Sequence, residues 1–131
     1  MQTVKLAVVG AHLKDMPLHW QLVSREARFV EATHTAPSYR LYAMAGSTPP
    51  KPALMHADDG AAIAVEVYEL DVAEFGSFVA EVPPPLAIGT VTLADGSSVK
   101  GFVAEPRATL GAEDITALGG WRAYIVRGPA T

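Results

Sequence analysis

Ten prolines divide the 131 residues of this chain into short segments. Proline holds φ at about −65° and lacks a backbone N–H, so helix interiors and central strands stop at it. The stretch Gly46 to Pro52, with Pro49-Pro50-Lys51-Pro52, is therefore read as a loop between two elements. Pro83-Pro84-Pro85 ends the segment before it, Pro106 breaks a strand, and Pro37-Ser38 makes a turn. Pro17 differs, because the first position of a helix tolerates a missing donor. A chain cut in this way builds short strands and short helices.

Apolar periodicity between the breaks supplies those elements. Val4 to Val9 reads as a central strand stopped by Gly10. Gly10-Ala11-His12-Leu13-Lys14-Asp15 is a loop. Asp15 caps a helix that starts at Pro17, carries Leu18, Trp20, Leu22 and Val23, and fades by Glu26 or Ala27. Arg28 to Thr35 and Tyr39 to Ala43 follow as strands. Ala61 to Leu70 is a long strand, with Ile63, Val65 and Val67 on one face and Glu66 and Tyr68 on the other. Asp71 to Val82 is a helix, with Asp71 as N-cap and Glu74 as its reciprocal partner. Ile88 to Leu93 and Ser98 to Glu105 flank Ala94-Asp95-Gly96-Ser97, a hairpin signal. Ile115 to Gly119 makes one helical turn, and Trp121 to Val126 is an apolar terminal segment. This order predicts an α+β fold: a small mixed sheet curling into a β-barrel, with a few helices.

The length fits one domain over residues 1–131. Such a chain buries roughly two thirds of its unfolded surface, enough for a core without staples. Cysteine is absent, which excludes disulfides, thiolate metal sites and cysteine nucleophiles. With 10 basic and 14 acidic residues the formal charge is −4, and no basic block is present to neutralise a phosphate backbone. Nucleic acid is thus not an expected partner. The apolar run Leu6 to Val9 is too short for a signal peptide or a membrane span, so a cytoplasmic protein with no membrane partner is expected.

Candidate chemistry gathers in the first loop. Free N–H groups and the positive end of the following helix would face a small anion there, with His12 as proton carrier and Lys14 as a charge. The four histidines, His12, His19, His34 and His56, lack the spacing of a zinc site, so neither metal nor cofactor is expected. No Gly-x-Ser-x-Gly element or Ser-Ser-Lys cluster offers a serine nucleophile. Glu81 and Glu105 have the chemistry of general bases, although solvated surface charge is the plainer reading. Arg40 carries a planar fork suited to a carboxylate, either a ligand's or that of a neighbouring side chain.

Several separate blocks resemble the C-terminal domain of allophanate hydrolases. They are Val8-Val9-Gly10-Ala11-His12-Leu13, Met16-Pro17-Leu18 with Gln21-Leu22, and Thr35-Ala36-Pro37-x-Tyr39-Arg40-Leu41-Tyr42. Pro49-Pro50-Lys51-Pro52, Pro83-x-Pro85-Leu86-x-Ile88-Gly89-Thr90 and Asp95-Gly96-Ser97-x-Val99-Lys100-Gly101-Phe102 continue the likeness. Asp114-Ile115-Thr116-Ala117-x-Gly119-Gly120-Trp121-Arg122-Ala123-Tyr124 completes it. The resemblance implies a γ-glutamylcyclotransferase-like fold whose first strand–helix loop lines a ligand cavity. It implies decarboxylation of a small urea-derived carboxylate left after an amidase has removed ammonia, with His12 as the catalytic group.

The implied cavity is framed by the first loop, the Arg40 strand, the Pro83 to Gly89 turn and the Lys100 strand. Gly10, Ala11, Leu13, Lys14, Arg40, Tyr42 and Lys100 are the expected ligand-binding residues. Glu81 is the candidate base if the chemistry is instead that of a γ-glutamylcyclotransferase acting on amino-acid amides. The Tyr-Gly-Ser loop of true cyclotransferases is absent, and His19 stands where the family usually carries Asn. A separate amidase is an expected partner, with the domain serving it either as an enzyme or as a non-catalytic subunit. A homodimer is a further expected assembly. His12, as a loop residue, is expected to be replaceable by Asn at a stability change within about 1 kcal/mol. Since no ligand set for a metal is expected, the melting temperature should not respond to EDTA. A drop in Tm on adding the chelator would contradict this reading.

Overall fold

A computed structural model describes residues 2–129, so residues 1, 130 and 131 of the expected domain lie outside the described residues. Five strands make the larger sheet: β1 (Thr3–Val8), β2 (Arg28–His34), β5 (Ala64–Asp71), β6 (Leu86–Thr92) and β7 (Ser98–Ala104). Their order is β2-β5-β1-β7-β6. β1 runs antiparallel to β5 and parallel to β7, so the sheet is mixed. A three-stranded sheet of order β4-β3-β8 joins β3 (Tyr39–Ala43), β4 (Pro52–His56) and β8 (Glu113–Asp114). The described residues also form three α-helices, α1 (Trp20–Val23), α2 (Val72–Ala80) and α3 (Trp121–Arg127), and two short 3-10 turns, Pro106–Thr109 and Thr116–Leu118.

The α+β class holds, and the barrel does not. β2 and β6 remain the outer strands of the larger sheet, and the smaller sheet is separate. Beyond the ends of β2 and β6, Thr35 and Leu93 make an isolated bridge rather than a continuous ladder. Closure needs every strand to tilt and stagger consistently, a long-range property with no local sequence signal.

β5 lies inside the larger sheet, between β2 and β1, and both of its faces carry buried residues. Val65, Val67 and Tyr68 are all buried, so Tyr68 packs inside the molecule rather than on an open face. The strand starts at Ala64, because Ala61 instead bridges Tyr39. Phe78 of α2 and Leu22 of α1 bury against the cluster formed by Leu6, Val8 and Leu70. Thr35 lies in the core with its hydroxyl satisfied: it donates to the Ala36 carbonyl (2.8 Å) and accepts from Ile63 N–H (3.0 Å).

Several local expectations change. Residues 10–19 run as consecutive turns, and α1 begins at Trp20 rather than Pro17. Asp15 has φ +68° and lies five residues before Trp20, so it caps no helix. Asp71 stands at the N-cap of α2 without a side-chain capping bond, and the reciprocal bond with Glu74 does not form. Asp71 is the last residue of β5, paired with Thr3, and its carboxylate lies 3.6 Å from the Arg28 guanidinium. β4 starts at Pro52 itself, because a proline is tolerated at the first residue of a strand. β6 starts at Leu86, two residues before the expected point. The β6–β7 hairpin forms as predicted, with Ser97 N–H donating to Asp95 Oδ1 (2.9 Å) in its turn. The terminal apolar segment is helix α3, with Trp121 buried.

Two glycines sit in opposite surroundings. A Cβ on Gly60 would stand 2.3 Å from Tyr39 N and 2.5 Å from Tyr39 O, against backbone that cannot step aside. A Cβ on Gly76, inside α2, would meet nothing within 4 Å. Gly60→Ala should therefore destabilise by at least about 1–3 kcal/mol, whereas Gly76→Ala should stabilise by about 0.5–1 kcal/mol. Urea denaturation of the two variants checks the opposite signs.

Candidate functional site

The end of β1 is buried through Val8 and Val9, and the chain then tightens into turns that hold His12 inward. Leu13 N–H donates to Gly10 O (3.0 Å), Met16 N–H to Leu13 O (3.0 Å) and Leu18 N–H to Ala11 O (2.8 Å). His19 donates through Nδ1 to the His12 carbonyl at 2.9 Å, a bond that an Asn amide could also make. The loop N–H groups of Leu13, Met16 and Leu18 are thus engaged within the loop. No helix starts there to present a dipole to an anion.

His12 is 8% exposed. Its ring stacks on Phe102 (centroids 4.9 Å apart, planes at 19°) and meets Phe78 edge-on at 5.0 Å. Nε2–H donates to Gln21 Oε1 at 2.7 Å. Burial pushes the pKa of His12 down to about 4, against the Gln21 hydrogen bond, which raises it. The nearby charges of Lys51, His19 and Arg25 lower it further. At pH 7 the ring is therefore neutral. Gln21 accepts from Nε2–H, so Nδ1 is the basic nitrogen. Nδ1 has no hydrogen-bond partner among the described residues. No sealed side-chain nitrogen or oxygen among the described residues lacks a partner, so Nδ1 is not fully sealed from its surroundings.

The ring borders a hollow of about 140 Å³ lined by His12, Gln21, Lys51, Glu81, Leu86 and Phe102, with Pro49 and Pro83 at its margin. A narrow crevice beside it is bounded by Gly10, Ala11, Lys51 and Pro52. At about 30 Å³ per water, the hollow admits a solute the size of four or five waters. Glu81 is ion-paired with Arg25. Arg25 also donates to Ser77 Oγ (2.8 Å) and to the Gln21 carbonyl (2.9 Å), and it lies over the Phe78 ring at 5.8 Å. It thereby ties α1 to α2 beneath His12.

Of the residues expected to bind ligand, Gly10 and Ala11 border this region. Leu13 lines a different groove of about 350 Å³, between β2, β5 and the start of α3. Lys14 turns its N–H to Glu66 Oε1 (2.9 Å), and its carbonyl accepts from Arg122 (2.9 Å). Burial raises the Glu66 carboxyl, but the Arg122 guanidinium, the Lys14 N–H and the Tyr68 hydroxyl outweigh it and hold the group below its usual range. Arg40 is engaged by Asp59 (3.3 Å) and Asp114 (2.9 Å), so its partners are side-chain carboxylates of the fold. Tyr42 pairs with Ala53 and Asp114 across the smaller sheet. Lys100 donates to Thr90 (3.1 Å) and borders a shallow surface with Lys5 and Ser98. The structure sets Leu13, Lys14, Arg40, Tyr42 and Lys100 apart from the His12 hollow. It adds Gln21 and Lys51, whose signal in the sequence was membership of the Gln21-Leu22 and Pro49-Pro50-Lys51-Pro52 blocks.

No group of three or more metal-ligating His, Cys, Asp or Glu side chains occurs among the described residues. No helix among them is long and apolar enough to cross a membrane.

The mixed five-stranded sheet, the smaller three-stranded sheet and the helices form an α+β fold of the γ-glutamyl cyclotransferase-like class. A γ-glutamyl cyclotransferase shares this fold at TM-score 0.58 and 13% identity, over 86% of this chain and 70% of that one. The chain belongs to the allophanate hydrolase C-terminal domain family, whose sequence profile matches residues 4–126. It is 44% identical over 128 residues to urea amidolyase of Saccharomyces cerevisiae, covering 94% of this chain and 7% of the relative. Kluyveromyces lactis allophanate hydrolase superposes at TM-score 0.93 and 44% identity, over 97% of this chain and 22% of that one. A uropathogenic E. coli-specific protein superposes at TM-score 0.89 and 33% identity, over 98% of this chain and 100% of that one. The chain thus spans 7% of the length of the yeast urea amidolyases it matches.

The buried imidazole links stability to pH. Its pKa falls from 6.5 to about 4 on folding, so between these values the unfolded chain binds more protons. Stability then drops as pH falls through that window, by about 2 kcal/mol between pH 7 and pH 5. Replacing a ring packed between two phenylalanines should itself destabilise by about 1–3 kcal/mol, more than a loop position alone implies. Urea denaturation at both pH values should show wild type losing more than His12→Asn, and equal losses would contradict the assignment.

Proposed function

We propose that this domain binds a small urea-derived carboxylate in the hollow beside His12 and decarboxylates it at nitrogen. The observation that carries this reading is a neutral, buried histidine in the wall of a hollow sized for a few heavy atoms. The names of the relatives, urea amidolyase and allophanate hydrolase, fit a ligand of that class.

The reaction needs a proton. In R–NH–COO⁻ + H⁺ → R–NH₂ + CO₂ the C–N bond breaks, its electron pair stays on nitrogen, and the proton goes there. Without the proton the leaving group is an amide anion. His12 alone is neutral at pH 7 and holds no acidic proton on Nδ1. An anionic ligand changes that. A carboxylate at about 4 Å from an imidazolium gains about 4 kcal/mol at an effective dielectric of about 20, worth about three pKa units. That offsets the depression caused by burial. The ligand and a proton therefore enter together, and Nδ1–H then serves the departing nitrogen. Gly10 and Ala11 border the crevice beside the hollow, and the ammonia-releasing step belongs to amidase chemistry outside this domain.

The cyclotransferase alternative needs a free carboxylate base, and Glu81 is held by Arg25 instead. The test is CO₂ release from allophanate with an added amidase, in the presence and absence of this protein. His12→Asn should lower the rate per folded molecule by roughly 10²- to 10⁴-fold, with KM moving much less. A folded variant with wild-type turnover would remove His12 from the reaction.

A further inference from the structure

We infer that Lys51 is the anion-binding residue of the His12 hollow, holding the ligand's carboxylate so that its nitrogen faces Nδ1. The inference rests on the carboxylate reading above and names the residue that selects for it. Lys51 borders both the hollow and the crevice on either side of His12. Its ammonium makes no hydrogen bond or ion pair among the described residues. It is near enough to His12 to be one of the charges that lower the imidazole's pKa.

The other charged groups around the hollow are already matched. Arg25 is engaged by Glu81, Ser77 and the Gln21 carbonyl, and Glu81 by Arg25. His19 donates to the His12 carbonyl. Lys51 therefore supplies the uncompensated positive charge. The backbone beneath it is fixed: its N–H donates to Ser47 Oγ (3.0 Å) and its carbonyl accepts from Met44 N–H (3.1 Å). The next residue, Pro52, occupies the space where a side chain on Gly10 would stand. A flexible ammonium on a rigid base reaches a small anion without reorganising the loop, and the hollow's size restricts the class to short carboxylates and dicarboxylates.

Malonate is the probe, titrated into wild type and into Lys51→Met, Lys51→Gln and Lys51→Arg while backbone and His12 ring resonances are followed by NMR. Wild type should shift residues that line the hollow, and loss of the ammonium should raise Kd about ten- to a hundredfold. Lys51→Arg should recover part of the affinity. In the unliganded Lys51→Met or Lys51→Gln protein, the His12 titration should move upward, because a nearby positive charge has gone. Malonate shifts that miss the hollow in wild type would overturn the carboxylate reading itself. Wild-type binding at the hollow with an unchanged Kd in Lys51→Met and Lys51→Gln would overturn the assignment of Lys51 alone. An unmoved His12 titration in those variants would overturn it as well.

Discussion

Gly10 and Pro52 touch where a side chain on Gly10 would stand. A Cβ there would be 2.2 Å from Pro52 Cδ and 2.4 Å from Cγ, which no packed atom tolerates. The contact joins the chain leaving β1, in the larger sheet, to the first residue of β4, in the smaller one. It turns the proline loop so that Lys51 lies beside His12, two residues past Gly10. Glycine on one side and a rigid ring on the other let two backbones approach closely, and the approach sets Lys51 at the wall of the hollow.

The chemistry of the hollow follows from burial. An imidazole pressed between Phe102 and Phe78 loses the water that would stabilise its charged form, so it rests neutral. Gln21 decides which nitrogen carries the proton, and Arg25 holds both the Gln21 backbone and the Phe78 ring. The α1–α2 contact and the protonation state of His12 are thus one construction. In the proposed reaction charge enters with the carboxylate, and the low polarity that suppresses the empty imidazolium would strengthen that pairing.

Much of this was legible in the chain wherever the signal was local. Asp95-Gly96 announced its hairpin, and the run before Gly10 announced a buried strand. His12 stood out by its place after that strand. Pro52 hid β4, because a proline that opens a strand looks the same in sequence as one that ends a loop. Pro17 suggested a helix start, and the loop instead folds into turns satisfied by its own carbonyls. Arg40 and Lys100 have the right charge for a carboxylate, but charge says nothing of direction: Arg40 meets Asp59 and Asp114, and Lys100 meets Thr90. Lys51 was quoted only as part of a proline block, since nothing local shows that the loop folds back over the first strand.

The central claim is that His12 rests neutral with its proton held on Nε2 by Gln21. Long-range ¹H–¹⁵N correlation of the imidazole ring at pH 7 tests it most directly. The account predicts one protonated nitrogen, Nε2, and one bare nitrogen, Nδ1, with the pattern unchanged until the pH approaches about 4. An imidazole that exchanges between tautomers, or that is half protonated at its ordinary pKa of about 6.5, would contradict it.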